Sequence, residues 1–153
     1  MNRINLIIRN EDFHKLEQFV EQVVDLSGIE NTYYSNIASA TGLVYDLLCN
    51  KVAGIGLLVE ATSADSGLYL EFLITDEDNN TQMKKSLDFA DIIGSELFVL
   101  QTLSDLCVVD ERSDKLTLLF NTTAQFGIKA RRRAKLLSQY FACQKRIADH
   151  LKC

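Results

Sequence analysis

Ile4, Leu6 and Ile8 are spaced two apart around Asn5 and Ile7, and this period predicts a first strand at about 3–9. The period then lengthens. Phe13, Leu16, Phe19, Val20, Val23, Val24 and Leu26 recur in steps of three and four, which predicts an amphipathic helix opened by Asn10 or Asp12 and stopped by Gly28. A second helix is expected at about 32–50 through Ile37, Ala40, Val44, Leu47 and Leu48. Residues 55–62 and 68–75 read as strands, with Leu68, Leu70, Phe72 and Ile74 on one face and a hairpin turn at 63–67.

Beyond Asp76 the pattern gives way to Glu77-Asp78-Asn79-Asn80-Thr81-Gln82, a polar loop, followed by weak helical character at 83–92. A third helix at about 94–104 carries Leu97, Leu100 and Leu103 on one side. Strands at 106–110 and 115–121 flank the turn-forming Glu111-Arg112-Ser113-Asp114, and a last helix runs from about 125 to 152. This order predicts an α+β two-layer sandwich: a mostly antiparallel sheet covered by helices, with an additional C-terminal helix. The domain is expected to span 1–124, with 125–153 packed on it or on a dimer partner.

Composition narrows the class without naming a function. The 153 residues are 47% hydrophobic and 24% charged, sufficient for one domain that buries roughly two-thirds of its unfolded surface. No apolar run approaches the roughly 18 residues of a membrane span, and Met1 to Leu6 contain no apolar signal region. Cys49, Cys107, Cys143 and Cys153 are 58, 36 and 10 residues apart, spacings that suit neither a zinc clip nor a compact disulfide framework. The expectation is a cytoplasmic protein with free thiols.

Charge is unevenly placed. Residues 127–153 hold eight cations against Asp149 alone, a net of +7, which leaves the rest at −12 within a total of −5. Arg131, Arg132 and Arg133 open this segment, whose apolar stripes run through Leu137, Phe141 and Leu151 and through Leu136, Tyr140 and Ile147. Such a helix is expected to be buried on the acidic body or in a homodimer, since a body at −12 repels nucleic acid.

The residues with chemical potential are few. Asp46 and Asn50 lie four apart on the second helix, so they share a face, and a carboxylate beside an amide oxygen suits magnesium. Asp76 ends an apolar strand at the start of a polar loop, where ligand contacts often sit. No catalytic triad, glycine-rich phosphate loop or metal-spaced histidine pair is present, and His14 and His150 read as solvated.

The succession of these features resembles the GHKL superfamily of Bergerat-fold, histidine-kinase-like ATPases, and most closely its anti-sigma-factor serine kinases. The family's Glu-x-x-x-Asn, Asp-x-Gly-x-Gly and Gly-x-Gly-Leu motifs correspond in position to Asp46-Leu47-Leu48-Cys49-Asn50, Asp76-Glu77-Asp78-Asn79-Asn80 and Gly94-Ser95-Glu96-Leu97. Leu103 to Val109 also looks like the family's passage from helix to strand, and the resemblance covers about 3–121. It implies a cytoplasmic ATP- and magnesium-dependent regulator that acts on a sigma factor or its antagonist. Asp46 would stand in for the glutamate base, Asn50 would hold magnesium, and Asp76 would bind the adenine amino group. Asp78, Asn80 and Gly94 would line the nucleotide.

The departures point to a degenerate nucleotide site. Glycines serve such loops by adopting positive φ and by letting backbone N–H groups approach phosphate closely. Here Asp78, Asn80 and Glu96 stand in their places. A like charge at 4 Å costs about 1 kcal/mol in water and about 4 at an effective dielectric of 20. No arginine or lysine near the motifs is expected to offset Asp78 and Glu96, other than Lys84 and Lys85 in the lid. Three functions remain open: a regulator working by protein contact, an active serine/threonine kinase using Asp46, Asn50 and Mg-ATP, and a nucleic-acid or scaffold protein using the basic helix.

Overall fold

A computed structural model describes residues 2–29, 31–64, 67–75, 89–110, 115–122, 135–136 and 139–140. Five strands form one sheet: β1 (Asn2–Ile7), β2 (Gly56–Ala64), β3 (Gly67–Thr75), β4 (Leu106–Asp110) and β5 (Lys115–Asn121). Their order is β1-β2-β3-β5-β4, and every neighbouring pair is antiparallel. The helices are α1 (Phe13–Leu26), α2 (Asn31–Val52), α3 (Phe89–Ile93) and α4 (Leu97–Leu103), with short 3-10 turns at Asn10–Asp12 and Gly94–Glu96. The architecture is the α+β two-layer sandwich expected from the pattern.

Alternation sets the faces. Leu68, Leu70, Phe72 and Ile74 on β3 are buried with Leu57, Val59 and Ala61 on β2 and Leu116, Leu118 and Phe120 on β5. Ile37, Ala40, Val44 and Leu48 of α2 and Leu16, Phe19, Val20 and Val23 of α1 join them in one core. Burial of each large aliphatic side chain contributes about 1.5–3 kcal/mol, so this shared interface dominates the stability. Leu100 and Leu103 of α4 close the same core, with Phe89, Ile92 and Ile93 of α3.

The chain entry into α1 is held differently from the sequence expectation. Asp12 is the N-cap residue by position, yet its side chain makes no cap hydrogen bond. Its carboxylate instead accepts from the Ile7 N–H at 3.0 Å and from Arg9 Nε at 3.0 Å, with Lys15 Nζ at 3.5 Å. Tyr45 secures the same corner from α2. Its hydroxyl accepts from the Arg9 N–H and lies 3.0 and 2.8 Å from the carbonyls of Ile7 and Arg9, one of which receives its proton. The far end of α1 also departs from its pattern. Leu26, the last member of the apolar series, is 69% exposed, because the helix outruns the surface that covers the rest of its stripe. Gly28 then reverses the chain at φ 66°, as a helix C-terminus favours.

At the other end of the sheet Ser104 stops α4. Its N–H and hydroxyl both bond the Leu100 carbonyl, at 3.0 and 2.6 Å. Asp105 follows, donating its N–H to Leu119 O and accepting the Asn121 N–H at 2.6 Å, so β4 and β5 are tied at this end. The helix expected at 125–152 lies almost wholly outside the described residues, Leu137, Phe141 and Ile147 included. Of the described residues in that segment, Leu136 is 47% exposed and Tyr140 packs against the core.

Candidate functional site

α2 carries two kinds of face along its last turns. Val44, Tyr45 and Leu48 are buried, so Asp46 and Asn50, each offset from them around the helix, are exposed. Cys49 between them is half-buried, and burial pushes its thiol pKa up, with Asp46 and Glu11 adding in the same direction. The pair therefore faces solvent as two oxygen donors one turn apart. A carboxylate and an amide oxygen are donor types that a magnesium ion takes. Among the described residues no group of three His, Cys, Asp or Glu side chains converges on a metal position.

The end of α2 lies beside the last of the three motifs. Lys51, the residue after Asn50, donates from Nζ to the Asp91 carbonyl at 3.0 Å. A Cβ placed on Gly94 would lie 4.0 Å from the same ammonium. Gly94 adopts φ 53°, a left-handed conformation for which glycine is favoured, so its presence at the head of this segment has a backbone reason. Glu96 differs. It has φ −78° and ψ −4°, which any residue adopts, so the absence of a second glycine strains nothing there. Its carboxylate accepts a 2.6 Å hydrogen bond from the Tyr140 hydroxyl.

The end of β3 is linked to the end of α2 through the start of β2. Val52 ends α2, Gly54 and Ile55 exchange backbone bonds with Ile8, and Gly56 pairs with Thr75. Thr75 is 1% exposed, and its Oγ1 has no hydrogen-bond partner among the described residues. Leaving a buried hydroxyl unpaired costs about 1–3 kcal/mol. Asp76, Asp78 and Asn80 follow Thr75 and lie outside the described residues.

Of the expected site residues, the structure thus places Gly94 next to the α2 turn that bears Asn50, with Asp46 one turn back. Lys51 is the residue that sequence reasoning missed. Its position next to Asn50 suggested nothing, because the approach of the Asp91–Gly94 segment is a tertiary event. Lys51 thus adds an ammonium beside Gly94. His14 is exposed, as expected, and His150 lies outside the described residues.

No protein-family model matches the chain, and no curated protein matches it in sequence. No helix among the described residues is long and apolar enough to cross a membrane. Cys49 and Cys107 are free thiols, while Cys143 and Cys153 lie outside the described residues.

Proposed function

We propose that the protein is a regulator of the anti-sigma-factor, histidine-kinase-like ATPase type that acts in the cytoplasm by protein–protein contact, with a degenerate nucleotide site. Its partner in this reading is a sigma factor or an antagonist-like protein. The observation that supports it is the Lys51–Asp91 bond, which sets the head of Gly94-Ser95-Glu96-Leu97 against the turn bearing Asn50. The order of elements agrees with the resemblance as well. ATP and magnesium would meet Asp46, Asn50 and Gly94 there, but Asp78 and Asn80 replace the glycines that would admit the phosphates. Magnesium would supply charge neutralisation to those phosphates when bound.

Calorimetric titration of the full chain with Mg-ATP tests this reading. The wild type is expected to bind at millimolar strength or not at all, about 4 kcal/mol at most. The combined Asp78→Gly, Asn80→Gly and Glu96→Gly variant is expected to gain affinity. Micromolar binding by the wild type, lost in Asn50→Ala, would overturn the degenerate site. The second reading, an active Mg-ATP-dependent serine/threonine kinase, would then take the lead. That reading is favoured by the Thr75 hydroxyl at the end of β3, unpaired among the described residues, and by the Lys51 ammonium beside Gly94.

A further inference from the structure

β1 is an edge strand: it pairs with β2 on one side, and no described strand pairs with its other side. Its six residues extend about 20 Å, and no described strand takes up the outer row of their backbone N–H and C=O groups. β1 contains no proline and no lysine, two of the devices that blunt such edges. Beside it runs α1, and between the two lies an open groove of about 420 Å3. That volume falls within the roughly 300–1,000 Å3 of ligand clefts.

The walls of the groove have a definite chemistry. Ile4 and Phe19 form an apolar floor, and the amides of Asn5, Gln18 and Gln22 line the flanks. Arg3 on the strand, opposite Glu60 of β2, and Lys15 on the helix supply positive charge, and among the described residues no carboxylate lines the groove. Lys15 remains half-exposed although it also approaches Asp12. One turn beyond Gln22, Leu26 stands 69% exposed and extends the helical wall with an apolar end. An open strand edge beside a helix, with alternating apolar and polar positions, is the geometry in which an extended peptide adds to a sheet.

We propose that this groove docks an extended acidic segment of a protein partner, which joins the sheet as a sixth strand along β1. Its alternate side chains would pack on Ile4 and Phe19, while its carboxylates meet Arg3 and Lys15. The proposal deepens the reading of the protein as a contact-acting regulator by naming the partner's chemistry, and it rests on that reading only for its purpose. The nucleotide site lies with the end of α2, on other residues.

The test uses the full chain and three labelled probes: a hexapeptide alternating Glu and Val, its Lys and Val counterpart, and the acidic hexapeptide N-methylated at alternate positions. The acidic peptide is expected to bind at least tenfold tighter than the lysine peptide, and N-methylation should abolish binding. Amide resonances of β1 should shift. Arg3→Gln combined with Lys15→Gln should weaken the acidic peptide tenfold or more while the chain still melts cooperatively, and Gln18→Lys should tighten it. Equal binding of both charged peptides, indifference to the double substitution, or tighter binding of a DNA duplex would overturn the proposal. Mg-ATP titration of the same variants separates the two ideas. Failure of the peptide leaves the regulator reading to its nucleotide test, and micromolar ATP binding overturns that reading without touching the groove.

Discussion

The Tyr140 hydroxyl donates to Glu96 Oε2 at 2.6 Å, joining two residues 44 positions apart. Glu96 precedes α4, and Tyr140 belongs to the basic segment whose attachment to the body was an expectation from charge and apolar stripes. One carboxylate is thereby occupied by a phenol from the same chain, which bears on any anion approaching Gly94.

The strength of this link is measurable. A hydrogen bond to a charged group contributes about 1.5–3 kcal/mol, less where both partners are partly solvated. A double-mutant cycle of Tyr140→Phe and Glu96→Gln in urea unfolding should give a coupling energy of about 1 kcal/mol. A coupling near zero would mean that the two side chains do not hold each other in solution.

Removing the Tyr45 hydroxyl should be costly for its size. It serves the Arg9 N–H and faces the carbonyls of Ile7 and Arg9, while its ring lies 5.9 Å from that of Phe13 at a 42° tilt. Tyr45→Phe keeps the ring and orphans backbone groups at the β1–α1 corner, so a loss of about 1–3 kcal/mol is expected in urea unfolding. An unchanged midpoint would show that water replaces the hydroxyl freely.

Acid should act through Asp12. Burial pushes its carboxyl pKa up, but the Ile7 N–H, the Arg9 guanidinium and the charge of Lys15 together outweigh this and hold it below 3.8. A lowered folded-state pKa means that the stabilisation is complete above the unfolded value. It is lost as pH falls from about 4 through the folded value. Asp12→Asn should therefore be less stable than wild type at pH 7, and the difference should shrink below pH 4. Parallel pH profiles for the two proteins would contradict this.

Alkali should act through Cys107, whose thiol is raised by burial to about 11. A raised acid pKa stabilises the fold fully below the unfolded value, near 9, and the contribution disappears as pH climbs from 9 to 11. Cys107→Ala should flatten that stretch of the stability curve. Native Cys107 should also resist iodoacetamide at pH 8 until the chain unfolds, since the thiolate is the reactive form.

Side-chain period made the sheet legible. Leu68 to Ile74 named the buried face of β3, and the polar stretch at 111–114 separated β4 from β5 at their observed ends. Period alone does not report where a neighbour stops covering a helix, hence Leu26. Nor does it distinguish an aspartate that caps a helix from one turned back toward a strand, hence Asp12. At the candidate site, the shared exposure of Asp46 and Asn50 followed from their spacing and from the burial of Val44 and Leu48. The approach of Lys51 to Asp91 and Gly94 did not, because it joins segments 40 residues apart through tertiary packing.

The pairing of β1 with β2 has a kinetic consequence. β2 with β3 and β4 with β5 close across turns of a few residues, whereas Ile7 must find Gly56 across both α1 and α2. Closure entropy rises with the length of the intervening chain, so the hairpins are expected to form early and β1 to join late, after α1 and α2 have shortened the path. Ile4→Val in β1 should then accelerate unfolding with little effect on the refolding rate, while Leu70→Ala in β3 should slow refolding. A chain that folds in this order exposes the edge of β2 until its last step, and the speed of that step sets how long two unfinished molecules have to pair with each other.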